Sequence, residues 1–184
     1  MDIAFVLDES SSLSPDQFDI VKEFVKCTIE SLSFGQVEVG LMTFSSSFTT
    51  RWWLNQGNKK SKTLNMLKRV QMRGGSTKTD QALAYLPAYM NKGRVDAMKI
   101  GILVTDGQSD DITATAQNAA KARAAGITMI AVGIGSYNKK ELEGIASKPL
   151  SDHVFGVKDF SGLVNIIKGI MKAMCAGDFF KHYE

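Results

Sequence analysis

Apolar residues fall into short, nearly unbroken runs that alternate along the chain with stretches of helical periodicity. Strand-length runs occupy residues 3–7, 37–44, 100–105, 127–132 and 153–157. Continuous apolar runs of this length mark strands covered on both faces, as in a parallel sheet. Between the first two, Ser14-Pro15 opens a helix, with the serine as N-cap and the proline at the first helical position. Phe18, Val21, Phe24, Val25, Ile29 and Leu32 then form its apolar face. Further helices are predicted over residues 61–70, Thr79–Met90 and 139–146, and from Asp110 or Asp111 as cap to a stop at Gly126. Pro87 is expected to kink or shorten the helix that contains it. A last helix should start near Asp159, with Phe160, Leu163, Val164, Ile167, Ile170, Met171 and Met174 on one side.

One segment breaks the alternation. Residues 37–44 and 48–54 are separated only by Ser45-Ser46-Ser47, too short for a crossover helix, so they read as a hairpin. Strand alternation then sends one of Trp52 and Trp53 to the core and the other to solvent. The predicted fold is α/β: a doubly wound, mostly parallel six-stranded sheet with one antiparallel edge strand and helices on both faces. Ligands of such folds bind beyond the carboxyl ends of the strands, where the strand order reverses.

Composition supports one soluble domain with a sizeable core, since 44% of the 184 residues are hydrophobic and 22% charged. No apolar run is long enough to span a bilayer. Net charge is +3, with Lys and Arg scattered and no basic stripe interleaved with aromatics. Charge therefore points to no acidic polymer, nucleic acid included. A strand-like run follows Met1 directly, without a signal peptide, so the sequence reads as one domain of a larger chain. His153, read as a strand-edge residue, and His182 stand alone, leaving no zinc cluster or histidine relay. No base accompanies the serines, so nucleophilic catalysis is not expected.

Candidate chemistry gathers in three loops: Asp8-Glu9-Ser10-Ser11-Ser12, Gly74-Gly75-Ser76-Thr77-Lys78-Thr79 and Thr105-Asp106-Gly107-Gln108-Ser109. Carboxylates and hydroxyls without His or Cys make a hard oxygen set, suited to magnesium, manganese or calcium rather than zinc or copper. Ser76 and Thr79 suit capping of the helix that follows, and Gly74 and Gly75 supply backbone freedom.

Asp8-x-Ser10-x-Ser12, the Gly-Gly-x-Thr-x-Thr-x-x-Ala-Leu stretch ending at Leu83, and Val104-Thr105-Asp106-Gly107 together resemble the metal-ion-dependent adhesion site of von Willebrand factor A and integrin I domains. The resemblance runs from Asp2 to about Cys175 and implies such a domain over residues 1–176, with 177–184 as tail or linker. It implies Ser10 and Ser12 as direct metal ligands, Thr77 as a direct or water-mediated one, and Asp8 and Asp106 close by, often through water. Glu9 departs from the small residue common in the family, adding a negative charge near the rim that could repel an acidic ligand. The resemblance further implies a secreted, extracellular adhesion module whose cation takes a Glu or Asp carboxylate from collagen or another matrix protein. Alternatives are a structural scaffold of matrix, byssal thread or biomineral, and an intracellular partner of an ATPase. A Cys27–Cys175 disulfide, joining the first and last helices, fits the extracellular reading. It would restrain a C-terminal helix that relatives with regulated affinity displace.

Overall fold

The computed structural model describes residues 1–175, apart from the side chains of Val164, Met174 and Cys175. The expected Cys27–Cys175 pairing and the 177–184 tail therefore lie outside the described residues.

Six strands form one sheet in the order β3-β2-β1-β4-β5-β6. They are β1 (Asp2–Asp8), β2 (Glu38–Phe44), β3 (Phe48–Trp52), β4 (Lys99–Thr105), β5 (Ile127–Ile134) and β6 (Val154–Val157). Among the described residues only the β2–β3 pairing is antiparallel. The fold class is thus as the sequence predicts. The apolar run of β1 explains its central place: Ile3, Phe5 and Leu7 point into one core, Ala4 and Val6 into the other, all at 0% exposure. Each of the larger side chains contributes about 1.5–3 kcal/mol by leaving water.

The first core lies under α1 (Pro15–Ser31), α2 (Lys60–Lys68) and α7 (Ile167–Cys175). The second lies under α3 (Thr79–Met90), α4 (Ile112–Ala124) and α5 (Lys139–Ile145). A short α6 (Leu150–His153) precedes β6. Ser14 caps α1 as expected, in a reciprocal pair: its hydroxyl accepts from Gln17 N–H at 3.2 Å, and the Gln17 side chain accepts from Ser14 N–H at 2.8 Å. The chain lays strands outward from β1 on one side, then returns to β4 and builds the other. Order therefore reverses between β1 and β4, and the crevice at their carboxyl ends is where such folds bind ligands.

Several local expectations are corrected. β3 ends at Trp52, because Leu54–Gln56 turns into a 3-10 helix with the Gln56 side chain accepting from Trp53 N–H at 2.8 Å. Neither tryptophan faces solvent freely. Trp52 is buried, its indole donating to the Val39 carbonyl at 2.8 Å, while Trp53 stacks on Tyr89 of α3 at 5.0 Å between ring centroids. His153 closes α6 rather than edging a strand, with Nδ1 2.9 Å from the Pro149 carbonyl. Pro87 does not shorten α3, which continues to Met90. The last helix begins later than expected: Phe160–Ile166 is 3-10, and α-helix starts at Ile167.

Candidate metal centre

β1 delivers Asp8 at its last position, and β4, its parallel neighbour, delivers Thr105 at its end and Asp106 just beyond. Asp8 is 2% exposed. One oxygen accepts from Ser10 N–H at 2.8 Å, folding the chain back into a turn, and the other accepts from the Thr105 hydroxyl at 2.7 Å. Ser12 donates to Asp106 Oδ1 at 2.8 Å, and Ser10 Oγ lies 2.8 Å from Ser12 Oγ. A hydroxyl has one hydrogen, so Ser10 is the donor to Ser12, and the protons run in sequence from Ser10 through Ser12 to Asp106. Oxygen lone pairs are left over along that row. The row climbs from the buried Ser10 to the exposed Ser12 and the half-buried Asp106.

The loop before α3 is laced to the first. Ser11 N–H donates to the Gly75 carbonyl at 2.9 Å, and Gly75 N–H donates to the Ser11 hydroxyl at 2.8 Å. Gly74 and Gly75 hold φ of 72° and 121°, conformations that side-chain-bearing residues rarely adopt. Thr77 is half-buried on this loop. Its backbone exchanges hydrogen bonds with Asp110, N–H to Oδ1 at 3.3 Å and carbonyl from Asp110 N–H at 3.0 Å. Asp8, Ser10, Ser12 and Asp106 are brought together by hydrogen bonds at the strand ends, and Thr77 stands on the neighbouring loop, tied through its backbone to Asp110. Ser76 and Thr79 cap nothing: Ser76 N–H donates to the Ser46 hydroxyl at 3.0 Å, and Thr79 is already helical and buried. Asp111 caps α4, accepting from Ala114 N–H at 2.8 Å.

Two supports escaped the sequence reading. Asp110 links Thr77 to the β4 loop and pairs with Lys78 at 3.2 Å. Glu141, from the first turn of α5, accepts from Ser109 N–H at 3.3 Å and so braces the third loop from behind. Only spacing to a distant helix could have signalled the second, and no motif carries it.

Glu9 is the largest correction. Rather than charging the rim, it is fully buried. Its carboxylate accepts from Arg51 Nη2 at 2.5 Å, Arg73 Nε at 3.0 Å and the Thr43 hydroxyl at 2.9 Å. Asp8 and Asp106 have no such partner among the described residues. Burial, opposed by the hydrogen bonds from Ser10 and Thr105, pushes the Asp8 carboxyl up to about 6, and the charge of Asp106 adds to the rise. Burial also raises Asp106. Buried carboxylates without a cation, beside hydroxyl oxygens with spare lone pairs, fit a hard divalent ion. Among the described residues no cluster of three or more His, Cys, Asp or Glu that could hold a metal exists, so an ion held here would need the hydroxyls as well.

Sheet order, the three loops and this oxygen set define a doubly wound α/β domain with a candidate metal site at its strand ends. The family model for the von Willebrand factor type A domain matches residues 2–169, and the chain belongs to that family. Its relatives include matrilin-1 of Gallus gallus, 36% identical over 181 residues, covering 95% of this chain and 36% of the relative. The collagen alpha-1(XII) chain of Notophthalmus viridescens is 34% identical, covering 95% of this chain and 19% of that one. The chain thus spans about a third, or less, of the length of these relatives. A solved structure of proximal thread matrix protein 1 from the mussel byssus, with a zinc-occupied MIDAS motif, superposes with a TM-score of 0.88 at 29% identity. It is covered over 48% of its length by 95% of this chain. The relatives are extracellular matrix proteins, in agreement with the expected extracellular setting.

Proposed function

We propose that this domain is an adhesion module of the extracellular matrix in which Asp8, Ser10, Ser12, Thr77 and Asp106 hold a divalent cation, magnesium or else manganese or calcium. The observation that carries the reading is Asp8: a buried carboxylate with no cationic partner among the described residues, beside a hydroxyl row that rises from Ser10 through the exposed Ser12 to the half-buried Asp106. When bound, the cation supplies a positive centre with a coordination position for an outside Glu or Asp carboxylate. Ser10 and Ser12 offer neutral oxygens, Asp8 and Asp106 offer charge, and Thr77 lies on the loop beside them. Burial of Glu9 behind its arginines removes the repulsion its sequence position suggested, which favours an acidic ligand. The role is binding rather than catalysis. Zinc in the byssal relative does not conflict with a harder ion here, since zinc also accepts carboxylate oxygen.

Titration calorimetry with magnesium, manganese and calcium tests the metal. Binding of a triple-helical collagen peptide with Glu, compared with its Gln counterpart, tests the ligand. Glu-dependent affinity that vanishes in excess chelator is expected, and affinity unchanged by chelator would overturn the reading. The likeness to a byssal thread protein favours a second reading, a structural scaffold with the metal as stabiliser. An Asp106→Ala variant that stays folded yet loses the collagen peptide argues against it.

A further inference from the structure

The net charge of +3 conceals a strong segregation. Residues 39–79 contain eight Lys and Arg and no Asp or Glu, leaving fourteen cations against nineteen anions in the rest of the chain. The sequence reading of scattered charge is therefore wrong for this segment. Folding brings the segment to one edge of the molecule, as β3, α2 and the loop that leads to Gly74.

Helical spacing aligns part of it. Lys59, Lys62, Met66 and Arg69 follow one another at intervals of three, four and three, a single stripe along α2 and its two caps. Lys59, Lys62 and Arg69 are exposed. Arg69 and Met66 line a shallow cavity of about 260 Å³ with Arg51, whose own charge is already taken up by Glu9. Lys59, Lys62, Lys68 and Arg69 have no acidic partner within ion-pair distance among the described residues. Acidic groups do border the far flank on α1: Asp19 and Glu23 are paired with Lys22 at 2.7 Å and Lys26 at 2.6 Å, and Glu30 stands beside them with no ion pair among the described residues.

The placement works against stability. Lys59, Lys60 and Lys62 sit at the amino end of α2, which has no acidic residue in its first turn. Cations there oppose the helix dipole. A bound anion turns that opposition into attraction. Among the described residues none of the large exposed hydrophobic side chains is aromatic, so this stripe has no exposed ring beside it for stacking bases.

We propose that the Lys59–Lys62–Arg69 stripe binds a sulfated polysaccharide of the extracellular matrix, through a site separate from the metal centre. Permanently charged sulfates on a linear chain match a linear row of cations, and the extracellular setting supplies such chains. Heparin is the probe, titrated onto the folded domain in excess chelator so that the metal site cannot contribute. The expected result is binding that weakens steeply with salt. The triple variant Lys59→Gln, Lys62→Gln, Arg69→Gln should lower heparin affinity by about tenfold or more. The control Lys121→Gln, Lys140→Gln should change it by less than about twofold. All five positions are exposed or cap a surface helix, and circular dichroism verifies folding. Desulfated heparin and duplex DNA should both bind more weakly than heparin. Equal losses in the two variants, heparin binding that requires the metal, or DNA binding as tight as heparin would each overturn the proposal. None of these results bears on the collagen-peptide titration with metal present.

Discussion

Asp8 and Glu9 are adjacent carboxylates, both buried, and the fold treats them oppositely. Alternation at the end of β1 sends them to different surroundings. Glu9 meets two guanidinium groups and a hydroxyl, so its charge is compensated within the chain. Among the described residues Asp8 meets only neutral donors, and burial raises its carboxyl to about 6. A buried charge that the chain itself balances serves architecture. One that it leaves unbalanced implies something from outside.

The largest effect expected from this contrast comes from removing the compensation. Arg51→Met with Arg73→Met leaves Glu9 buried without a cation and should cost about 3–5 kcal/mol of stability in urea denaturation. A loss below about 1 kcal/mol would mean that Glu9 needs no partner. Next comes the ion: magnesium at about a hundred times its dissociation constant should stabilise the wild-type domain by about 2.7 kcal/mol. Asp8→Asn and Asp106→Asn should lose most of that gain, and equal stabilisation of all three proteins would break the contrast.

The smallest effect is in pH. Because the folded-state value of Asp8 is raised, its deprotonation disfavours the metal-free fold as pH climbs above the unfolded value of about 3.9. That penalty is complete only above about 6. In chelator, wild type should lose about 1 kcal/mol between pH 5 and pH 7 relative to Asp8→Asn. Parallel profiles for the two proteins would show that Asp8 is as well solvated as an ordinary surface acid.

The architecture was legible because its signals are local and redundant. Apolar runs mark the strands, Ser14-Pro15 marks α1, and a three-residue gap can only make a hairpin. The loops of the site were legible for the same reason, as small oxygen-bearing residues directly after strands. What escaped depends on partners far along the chain. Glu9 reads as a rim charge until Arg51 and Arg73 arrive from 42 and 64 positions away. One of Trp52 and Trp53 reads as exposed until Trp52 is found buried and Tyr89 covers Trp53. Averaged charge misled for a different reason, since a total of +3 erases where the charges lie.

The central place of β1 carries a mechanical consequence. Its rungs to β2 and β4 are parallel and run nearly its whole length, from Asp2 to the last residue before or at Asp8. Tension entering at the amino end of this strand and leaving through a partner gripped at its carboxyl end would travel along the strand axis. Pulled that way, the flanking rungs are sheared together rather than peeled off singly, a geometry in which they must fail as a group rather than one at a time.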